Sequence, residues 1–236
     1  MRVKLVRYTV DAEDLLIFTK QTRLEMSPEG MEEIENWPVE RKMEELKYMA
    51  NTIPSSWEFV DYVFLITGVS RAFTHQFVRT RTGSFAQQSM RVTDQNGFNF
   101  ITGPSLKNEA EADYYACMNL IQQHYEAIIA QGGALEDARG VLPTNICTNI
   151  VAKFNLRTMS DLAKSRSGGR TQSEYRDVMN AMCDEVLSVH PWAGMFLYPQ
   201  GRDYFKEMET LLEGLKKIDP KLAQDILKII DKMRKS

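Results

Sequence analysis

The chain has 236 residues, of which 43% are hydrophobic and 26% are charged, and its formal net charge is −3. This length and apolar content suffice for the core of one globular domain, so we expect a single domain over residues 1–236. The slightly acidic charge argues against extensive binding of nucleic acid. Because no apolar run is long enough to span a bilayer and no signal-peptide pattern opens the sequence, we expect a cytoplasmic protein that does not bind membranes.

The first quarter of the sequence predicts a strand followed by helices. Residues 2–8 alternate between apolar and polar side chains as a strand does, and the apolar spacing over 12–23 predicts a helix. Residues 27–29 read Ser-Pro-Glu, which is typical of a helix start with proline at the first helical position. A longer amphipathic helix is predicted over 39–50, and Pro54 interrupts the helical pattern soon afterwards.

Residues 58–69 are rich in aromatic and β-branched side chains and form the strongest strand candidate in the sequence. We expect Gly68 to end this strand and a helix to begin two residues later. Helical spacing would then place Arg71, His75 and Arg79 on one face. The helix would thus lead directly into an arginine-rich segment.

The second half of the sequence predicts mostly helices. An apolar stripe runs through 109–131 and is expected to face the core, and 145–163 is expected to form one or two helices. Residues 171–174 read Thr-Gln-Ser-Glu, which has the form of a capping box before a further helix. Residues 220–234 predict an amphipathic helix that packs on the domain or joins subunits. Together with the strands, these helices predict an α+β fold.

The cysteines and glycines limit the kinds of site that the chain can form. Cys117, Cys147 and Cys183 lack the paired spacing of a metal site, so we expect no metal and no disulfide framework. Cys117 and Cys183 fall within helical apolar patterns and are expected to be small buried side chains, and no cysteine has a setting that would activate its thiol. No glycine-rich dinucleotide fingerprint follows a strand, so a nucleotide cofactor would have to be held by side chains.

The most distinctive segment of the chain reads Arg79-Thr-Arg-Thr-Gly-Ser-Phe-Ala-Gln-Gln-Ser-Met-Arg91. Guanidinium groups bind phosphate through paired hydrogen bonds, and hydroxyl and carboxamide groups beside them can bind the edge of a small polar ring. A solvated arginine-rich loop without a ligand is the alternative interpretation. The spacing within the segment favours a site for an anion.

This segment resembles the signature of the flavin-dependent thymidylate synthases, Arg-His-Arg-x-x-Ser-x-Asn-x-x-Ser-x-Arg. The arginines and serines of the signature match Arg79, Arg81, Ser84, Ser89 and Arg91. The chain departs from the signature at Thr80, where histidine is usual, and at Ala86, where asparagine is usual. Gln87 also stands where many members of the family carry glutamate.

A second block supports the resemblance. The stretch from Ala138 to Asn145 is similar to the family's segment Ala-Arg-x-Val-Leu-Pro-x-Asn. Further family positions follow at the expected intervals, at Asn155, Arg157, Arg166 and Gln172. Arg170 occupies the place of another usual histidine. The resemblance covers roughly residues 54–176.

The resemblance implies a fold, an assembly and a reaction. The fold would be a mainly antiparallel sheet flanked by helices, the thymidylate synthase-complementing protein fold, in a homotetramer whose active sites lie where subunits meet. The reaction would methylate dUMP at C5 to dTMP, with methylenetetrahydrofolate as carbon donor and NADPH-reduced FAD as hydride source. The alternatives are a related flavin-dependent methyl- or hydroxymethyltransferase acting on another pyrimidine nucleotide, and a nucleotide-binding homologue without catalysis.

The resemblance also implies roles for individual residues. Arg166 would be catalytic, because a fixed cation at the edge of uracil stabilises negative charge that develops on the ring. The residues around dUMP would be Gln76, Arg79, Gln87, Ser89, Arg91, Arg139 and Arg166. The residues that line FAD would be Ser55, Ser56, Arg79, Thr80, Arg81, Gln87, Asn155, Arg157, Asp161 and Arg170. Which of the two adjacent serines meets the flavin stays open.

Overall fold

The computed structural model describes residues 1–25, 27, 29–166, 171–198 and 204–235, the last range partly by its backbone alone. Its strands are β1 (Arg2–Tyr8), β2 (Asp61–Ser70), β3 (Ser84–Gln87) and β4 (Cys147–Asn155). They form a four-stranded sheet in the order β1-β2-β4-β3, and every pair of neighbours is antiparallel. The predicted antiparallel sheet and α+β class are confirmed.

Helices make up most of the rest of the described chain. They are α1 (Ala12–Leu24), α2 (Met31–Glu35), α3 (Val39–Thr52), α4 (Arg71–Phe77), α5 (Asn108–Ala130), α6 (Leu135–Ala138), α7 (Leu156–Arg166), α8 (Ser173–Val189), α9 (Gly194–Leu197), α10 (Tyr204–Leu215) and α11 (Pro220–Lys235). Short 3₁₀ helices lie at Ser56–Phe59, Arg139–Val141 and Pro191–Ala193. Among the described helices, none is both long enough and apolar enough to cross a membrane.

The core lies between one face of the sheet and a layer of helices. Alternate residues of β2 and β4 point into it, since a strand turns successive side chains to opposite faces. On β4 the buried residues include Ile150, Ala152 and Phe154, whereas Val151 and Lys153 are exposed on the other face. Helices α7 and α8 pack together under this layer, and α8 also contacts β1 and β2. The packing fixes the ends of α4, α7 and α8 relative to one another.

The start of α4 is tied to the start of α8. The hydroxyl of Ser70 accepts a hydrogen bond from the backbone N–H of Phe73 at 3.0 Å and so caps α4. The carboxylate of Glu174 accepts from the backbone N–H and the hydroxyl of Ser70, at 2.6 and 2.5 Å. The predicted capping box at 171–174 is therefore wrong, because Glu174 binds α4 and Gln172 caps α8 without a side-chain bond.

Two predictions about the sheet are also wrong. Gly68 does not end β2; it has φ of 65° at an irregularity in the pairing with β4, a conformation that glycine adopts without steric cost. The range 145–163 is not purely helical, because it contains β4 followed directly by α7. Buried and exposed residues alternate along β4, but the sequence hides this alternation, because Thr148 is polar and buried whereas Val151 is apolar and exposed.

Some predicted helices differ from the observed ones. Helix α4 ends at Phe77, so Arg79 lies in the turn beyond it and not on one face with Arg71. Helix α2 begins only at Met31, after Gly30, and Pro28 lies outside the described residues. The predicted strand β1 and the predicted helices α1, α3, α5 and α11 are confirmed in type and approximate position.

Helix α5 is more exposed than the sequence indicates. Only Met118 and Tyr125 are buried among its residues, and Cys117 is exposed, contrary to expectation, whereas Cys183 on α8 is buried as expected. Near the C-terminus, α10 packs against α11 through a small apolar cluster of its own, formed by Leu212, Ala223 and Ile230.

Candidate functional site

The turn after α4 presents the first part of the arginine-rich segment. Phe77, the last residue of α4, is buried and stacks on Phe73, with 4.9 Å between ring centroids. Two backbone hydrogen bonds then shape the turn: Thr80 N–H to the carbonyl of Phe77 at 3.1 Å, and Gly83 N–H to the carbonyl of Thr80 at 2.9 Å. This anchored turn places Arg79 and Thr80 at the surface.

Arg79 and Thr80 line a pocket together with one residue of α4 and one residue of α7. The pocket has a volume of about 420 Å³ and is lined by Gln76, Arg79, Thr80 and Arg166. Arg166 is the last residue of α7, and the side chain of Gln76 donates to Oε1 of Gln172 at 2.8 Å, which joins α4 to the residue before α8. Residues that are distant in sequence thus form a small polar pocket with two guanidinium groups.

Tyr175 forms the buried layer behind this pocket. Its side chain is fully buried, and its ring centroid lies 5.0 Å from Cζ of Arg166. Among the described residues, the buried Nε of Arg166 has no hydrogen-bond partner, and the hydroxyl of Tyr175 lies close to Thr80 and Arg166 without a well-formed hydrogen bond to either. Burial raises the pKa of the Tyr175 phenol, although Thr80 and Arg166 act in the opposite direction. The phenol is therefore neutral at physiological pH.

A second group of cations lies on the loops around α6. Nη2 of Arg91 is 3.3 Å from a carboxylate oxygen of Glu136, and Nε of Arg139 donates to the backbone carbonyl of Glu136 at 3.1 Å. The hydroxyl of Ser89 accepts from the backbone N–H of Arg91 at 3.3 Å. We call Ser89, Arg91 and Arg139 the loop group. The side chains of Arg91 and Glu136 are 63% and 56% exposed, so this ion pair lies open to an incoming anion.

Arg71 extends the loop group toward α4. It is half-buried at the first position of the helix and donates to the backbone carbonyl of Gln88 at 3.3 Å. Burial lowers its pKa, and the positive charge of Arg139 lowers it further. Sequence analysis placed Arg71 on the helix but not in the site. Its position just before the arginine-rich segment was the available signal.

The residues expected to line FAD lie mainly around the 3₁₀ helix at 56–59 and the start of α7. Arg157 forms an ion pair with Glu58 at 2.7 Å, and the hydroxyl of Ser55 accepts from Arg23 at 2.6 Å. The hydroxyl of Ser56 is buried and has no partner among the described residues. Arg157 is therefore partly exposed to solvent, whereas Ser56 is buried with an unpaired hydroxyl.

The other expected site residues have mixed settings. The amide of Gln87 donates to the hydroxyl of Thr74 at 2.9 Å, and Oδ1 of Asn155 accepts from the backbone N–H of Thr158 at 2.9 Å, which caps α7. Both side chains are thus engaged by the fold. Arg81 and Asp161 are exposed, and Arg170 lies outside the described residues.

The structure therefore brings the expected site residues together in groups. Gln76, Arg79, Thr80 and Arg166 share one pocket, and the loop group meets at Glu136. Sequence analysis missed Glu136 and Tyr175. Neither residue belongs to the quoted motifs. Glu136 on α6 meets Arg91, and Tyr175 on α8 meets Arg166, only in the folded chain.

Comparison with known proteins agrees with these observations. A family model described as "Thymidylate synthase complementing protein" matches residues 4–192. The chain is 31% identical over 211 residues to a flavin-dependent thymidylate synthase of Clostridium tetani, an alignment covering 81% of this chain and 84% of that protein. It is also 31% identical over 196 residues to the enzyme of the same name from Sulfurisphaera tokodaii, covering 81% of this chain and 75% of that protein.

A solved structure shows the same fold. It is the crystal structure of thymidylate synthase X from Helicobacter pylori with FAD and dUMP, which superposes with a TM-score of 0.66 and covers 84% of this chain and 99% of that chain. At 19% sequence identity, this match concerns the fold alone. Because the family model spans most of the chain and the sequence matches are extensive, this chain belongs to the thymidylate synthase complementing protein family.

Proposed function

We propose that the protein is a flavin-dependent thymidylate synthase. It methylates dUMP at C5 to dTMP, with methylenetetrahydrofolate as the carbon donor and NADPH-reduced FAD as the hydride source. The relatives carry the name of this activity. The observation that carries the proposal is the pocket in which Arg79 and Arg166, from distant parts of the chain, lie beside Gln76. Such a pocket can bind a small polar ring that carries or develops negative charge.

The loop group, together with Arg71, binds the phosphate of dUMP in this proposal. Charge-assisted hydrogen bonds to a dianion are stronger than bonds between neutral groups. Arg91 can exchange Glu136 for the phosphate at low cost, because an exposed ion pair contributes only about 0–1 kcal/mol. The charge of Arg71, which Arg139 and burial disfavour in the free protein, would be stabilised by the same phosphate.

The pocket residues act on the base. Arg166 would lie at the edge of uracil, where its positive charge stabilises the negative charge that develops on the ring as C5 becomes nucleophilic. The amide of Gln76 is held by Gln172 and can offer its remaining polar atoms to the ring. Binding energy from the phosphate would hold the ring against this fixed cation, which favours reaction through orientation.

We further propose that the protein is a homotetramer with shared active sites. Arg71 of the phosphate site and Gln76 of the base pocket lie toward opposite ends of the short helix α4, about 8 Å apart along its axis, so one chain presents both parts of the site. In the proposed tetramer, partner subunits would enclose each site and supply further contacts. Exposed apolar residues on α5, such as Tyr115 and Leu120 at 46% and 53%, offer a surface for this contact.

FAD would be held by side chains near the pocket and the start of α7. The exposed guanidinium of Arg157 fits a ligand that carries phosphate groups, and Ser56, whose buried hydroxyl is unpaired among the described residues, is proposed to lie beside it. The other residues proposed for this role are Ser55, Arg79, Thr80, Arg81, Gln87, Asn155, Asp161 and Arg170. When bound, the flavin supplies the hydride that reduces the transferred carbon unit.

The domain and the location of the protein are also proposals. Residues 1–236 would form one domain, with one main core and a separate small apolar cluster between α10 and α11. The protein would work in the cytoplasm, where thiols stay reduced, and none of its three cysteines forms a disulfide.

Anaerobic incubation of the purified protein, chemically reduced, with dUMP and methylenetetrahydrofolate tests the proposed reaction. Mass analysis of the nucleotide should show the gain of a methyl group, and the oxidised protein should show the visible absorption of a flavin. Because Thr80 replaces the usual histidine beside the pocket, transfer of a hydroxymethyl group is the second candidate. Tight binding of dUMP without any change in its mass would instead indicate a homologue without catalysis.

A further inference from the structure

Tyr175 provides a rigid surface behind the pocket. Its ring is fully buried and faces Arg166. Phe73 and Phe77 pack edge-on against this ring, with centroid distances of 5.1 and 5.9 Å. Both phenylalanines are themselves fully buried on α4. The ring of Tyr175 is therefore held by the core and cannot move independently of the pocket.

Arg166 has few other restraints. In the part of the chain that the structure describes, no carboxylate pairs with Arg166 and its buried Nε has no hydrogen-bond partner. An arginine side chain has several rotatable bonds, so a guanidinium without partners would sample many positions. A flat cation over an aromatic face is attracted to it by the quadrupole of the ring, and this attraction grows when water is excluded. The aromatic face of Tyr175 thus favours one position of the guanidinium.

We propose that the ring of Tyr175 is a positioning element that holds the guanidinium of Arg166 against the pocket wall, aimed at the pyrimidine edge of a bound deoxynucleotide. The identity of that nucleotide rests on the proposed function. We assign this role to the ring and not to the hydroxyl, which lies close to Thr80 and Arg166 but forms no well-formed hydrogen bond with either. A phenylalanine at this position would therefore orient Arg166 equally well, whereas an aliphatic side chain would not.

Three variants separate the ring from the hydroxyl and from general packing. Tyr175→Leu removes the ring, Tyr175→Phe removes only the hydroxyl, and Tyr62→Leu is the matched control. Tyr62 is another fully buried tyrosine, and its hydroxyl lies 3.0 Å from Nδ1 of His190. His190 follows the C-terminal end of α8, whereas the pocket lies near the N-terminal end of that helix. The readouts are the Kd for dUMP from calorimetry, the Tm without ligand, and the crystal structure of each variant.

We expect Tyr175→Leu to weaken binding of dUMP about tenfold and to displace Arg166 from the pocket wall. Tyr175→Phe should keep the Kd within about twofold of the original and should not lower the Tm, because the buried hydroxyl that it removes makes no well-formed hydrogen bond with the neighbouring Thr80 and Arg166. Tyr62→Leu should lower the Tm by several degrees and leave the Kd unchanged. A loss of affinity in Tyr175→Phe equal to that in Tyr175→Leu would overturn the proposal.

A double-mutant cycle tests whether Tyr175 acts through Arg166. In the Arg166→Gln background, adding Tyr175→Leu should cause no further loss of dUMP affinity, because the group that the ring positions is already absent. Independent, additive losses would overturn the proposal. If the unmodified protein binds no dUMP, the proposed function fails, and the position of Arg166 in the Tyr175→Leu crystal structure still decides this inference.

Discussion

The two groups of arginines in this chain differ in how firmly the fold holds them. Arg166 ends α7 and lies half-buried over the fixed ring of Tyr175. Arg91 and Arg139 instead meet at Glu136 on exposed loops. A cation that is already in place can stabilise a developing charge without reorganising, whereas an exposed pair has to exchange partners when an anion binds. The pocket is thus suited to chemistry and the loop group to capture of the phosphate.

Removal of Arg166 should have the largest effect on the reaction. For Arg166→Gln we expect the anaerobic single-turnover rate to fall by about 10²- to 10³-fold, because the side chain stabilises charge that appears only during reaction. The Kd for dUMP should rise by only about tenfold, as expected when Arg166 no longer lies at the pocket wall. Single-turnover kinetics and calorimetry, measured on the same preparation, separate the two effects.

Lys164→Gln is the control for this variant, since it removes a positive charge from the same turn of α7 and lies outside the pocket. Its single-turnover rate should stay within about twofold of the original, as expected for an exposed surface change. If Arg166→Gln weakened dUMP binding and left the rate at saturation intact, Arg166 would belong with the capture residues and the contrast between the two groups would disappear.

Removal of Arg139 should affect capture and not chemistry. For Arg139→Gln we expect dUMP binding to weaken by about 10- to 100-fold, the range typical of a lost hydrogen bond to a charged group. Binding of deoxyuridine, which lacks the phosphate, should stay the same. Calorimetric titrations with both ligands at low and high salt measure this, and the advantage of dUMP over deoxyuridine should shrink as salt rises.

The difference in rigidity should also appear in stability. Ser70→Ala removes the cap of α4 and one bond to Glu174, so we expect the free energy of unfolding to fall by about 1–2 kcal/mol. Ser89→Ala, in the loop group, removes only an acceptor for the backbone of Arg91 and should change it by less than about 0.5 kcal/mol. Urea unfolding without ligand compares the two variants. Equal losses in the free energy of unfolding would show that the loop around Ser89 is as firmly structured as the start of α4.

Sequence analysis correctly predicted elements that depend on residues close together in the sequence. The polarity pattern of β1, the apolar spacing of α1 and the start of α4 at Ser70 depend on neighbouring residues, and each was predicted correctly. The arginine-rich motif likewise indicated an anion site because its members are close in sequence. Strand β4 was missed because Ile150, Val151 and Ala152 form an apolar run without alternation, and because Asn155 ends the strand and caps α7 at once, leaving no turn signal between them.

The remaining features depend on tertiary contacts. The start of α4 is held against the segment that follows Arg139, since the backbone N–H groups of Arg71 and Ala72 donate to the carbonyls of Ile146 and Thr144, and no local pattern encodes this contact. Tyr175 reads as an ordinary member of the apolar stripe of α8, and only the packing of α7 on α8 places its ring under Arg166. Glu136 is a surface glutamate by every local criterion. Such residues become visible only when the chain is folded.

Glu136 gives the smallest expected effect and a direct test of the capture role. Its carboxylate occupies Arg91 in the free protein and would compete with the phosphate of dUMP. For Glu136→Gln we expect dUMP to bind up to about fivefold more tightly, since the exposed pair contributes no more than about 1 kcal/mol. Glu213→Gln on α10 changes the net charge equally and should leave the Kd unchanged. Weaker binding in Glu136→Gln would mean that the carboxylate orients Arg91 for the phosphate, so that the loop group is preorganised after all.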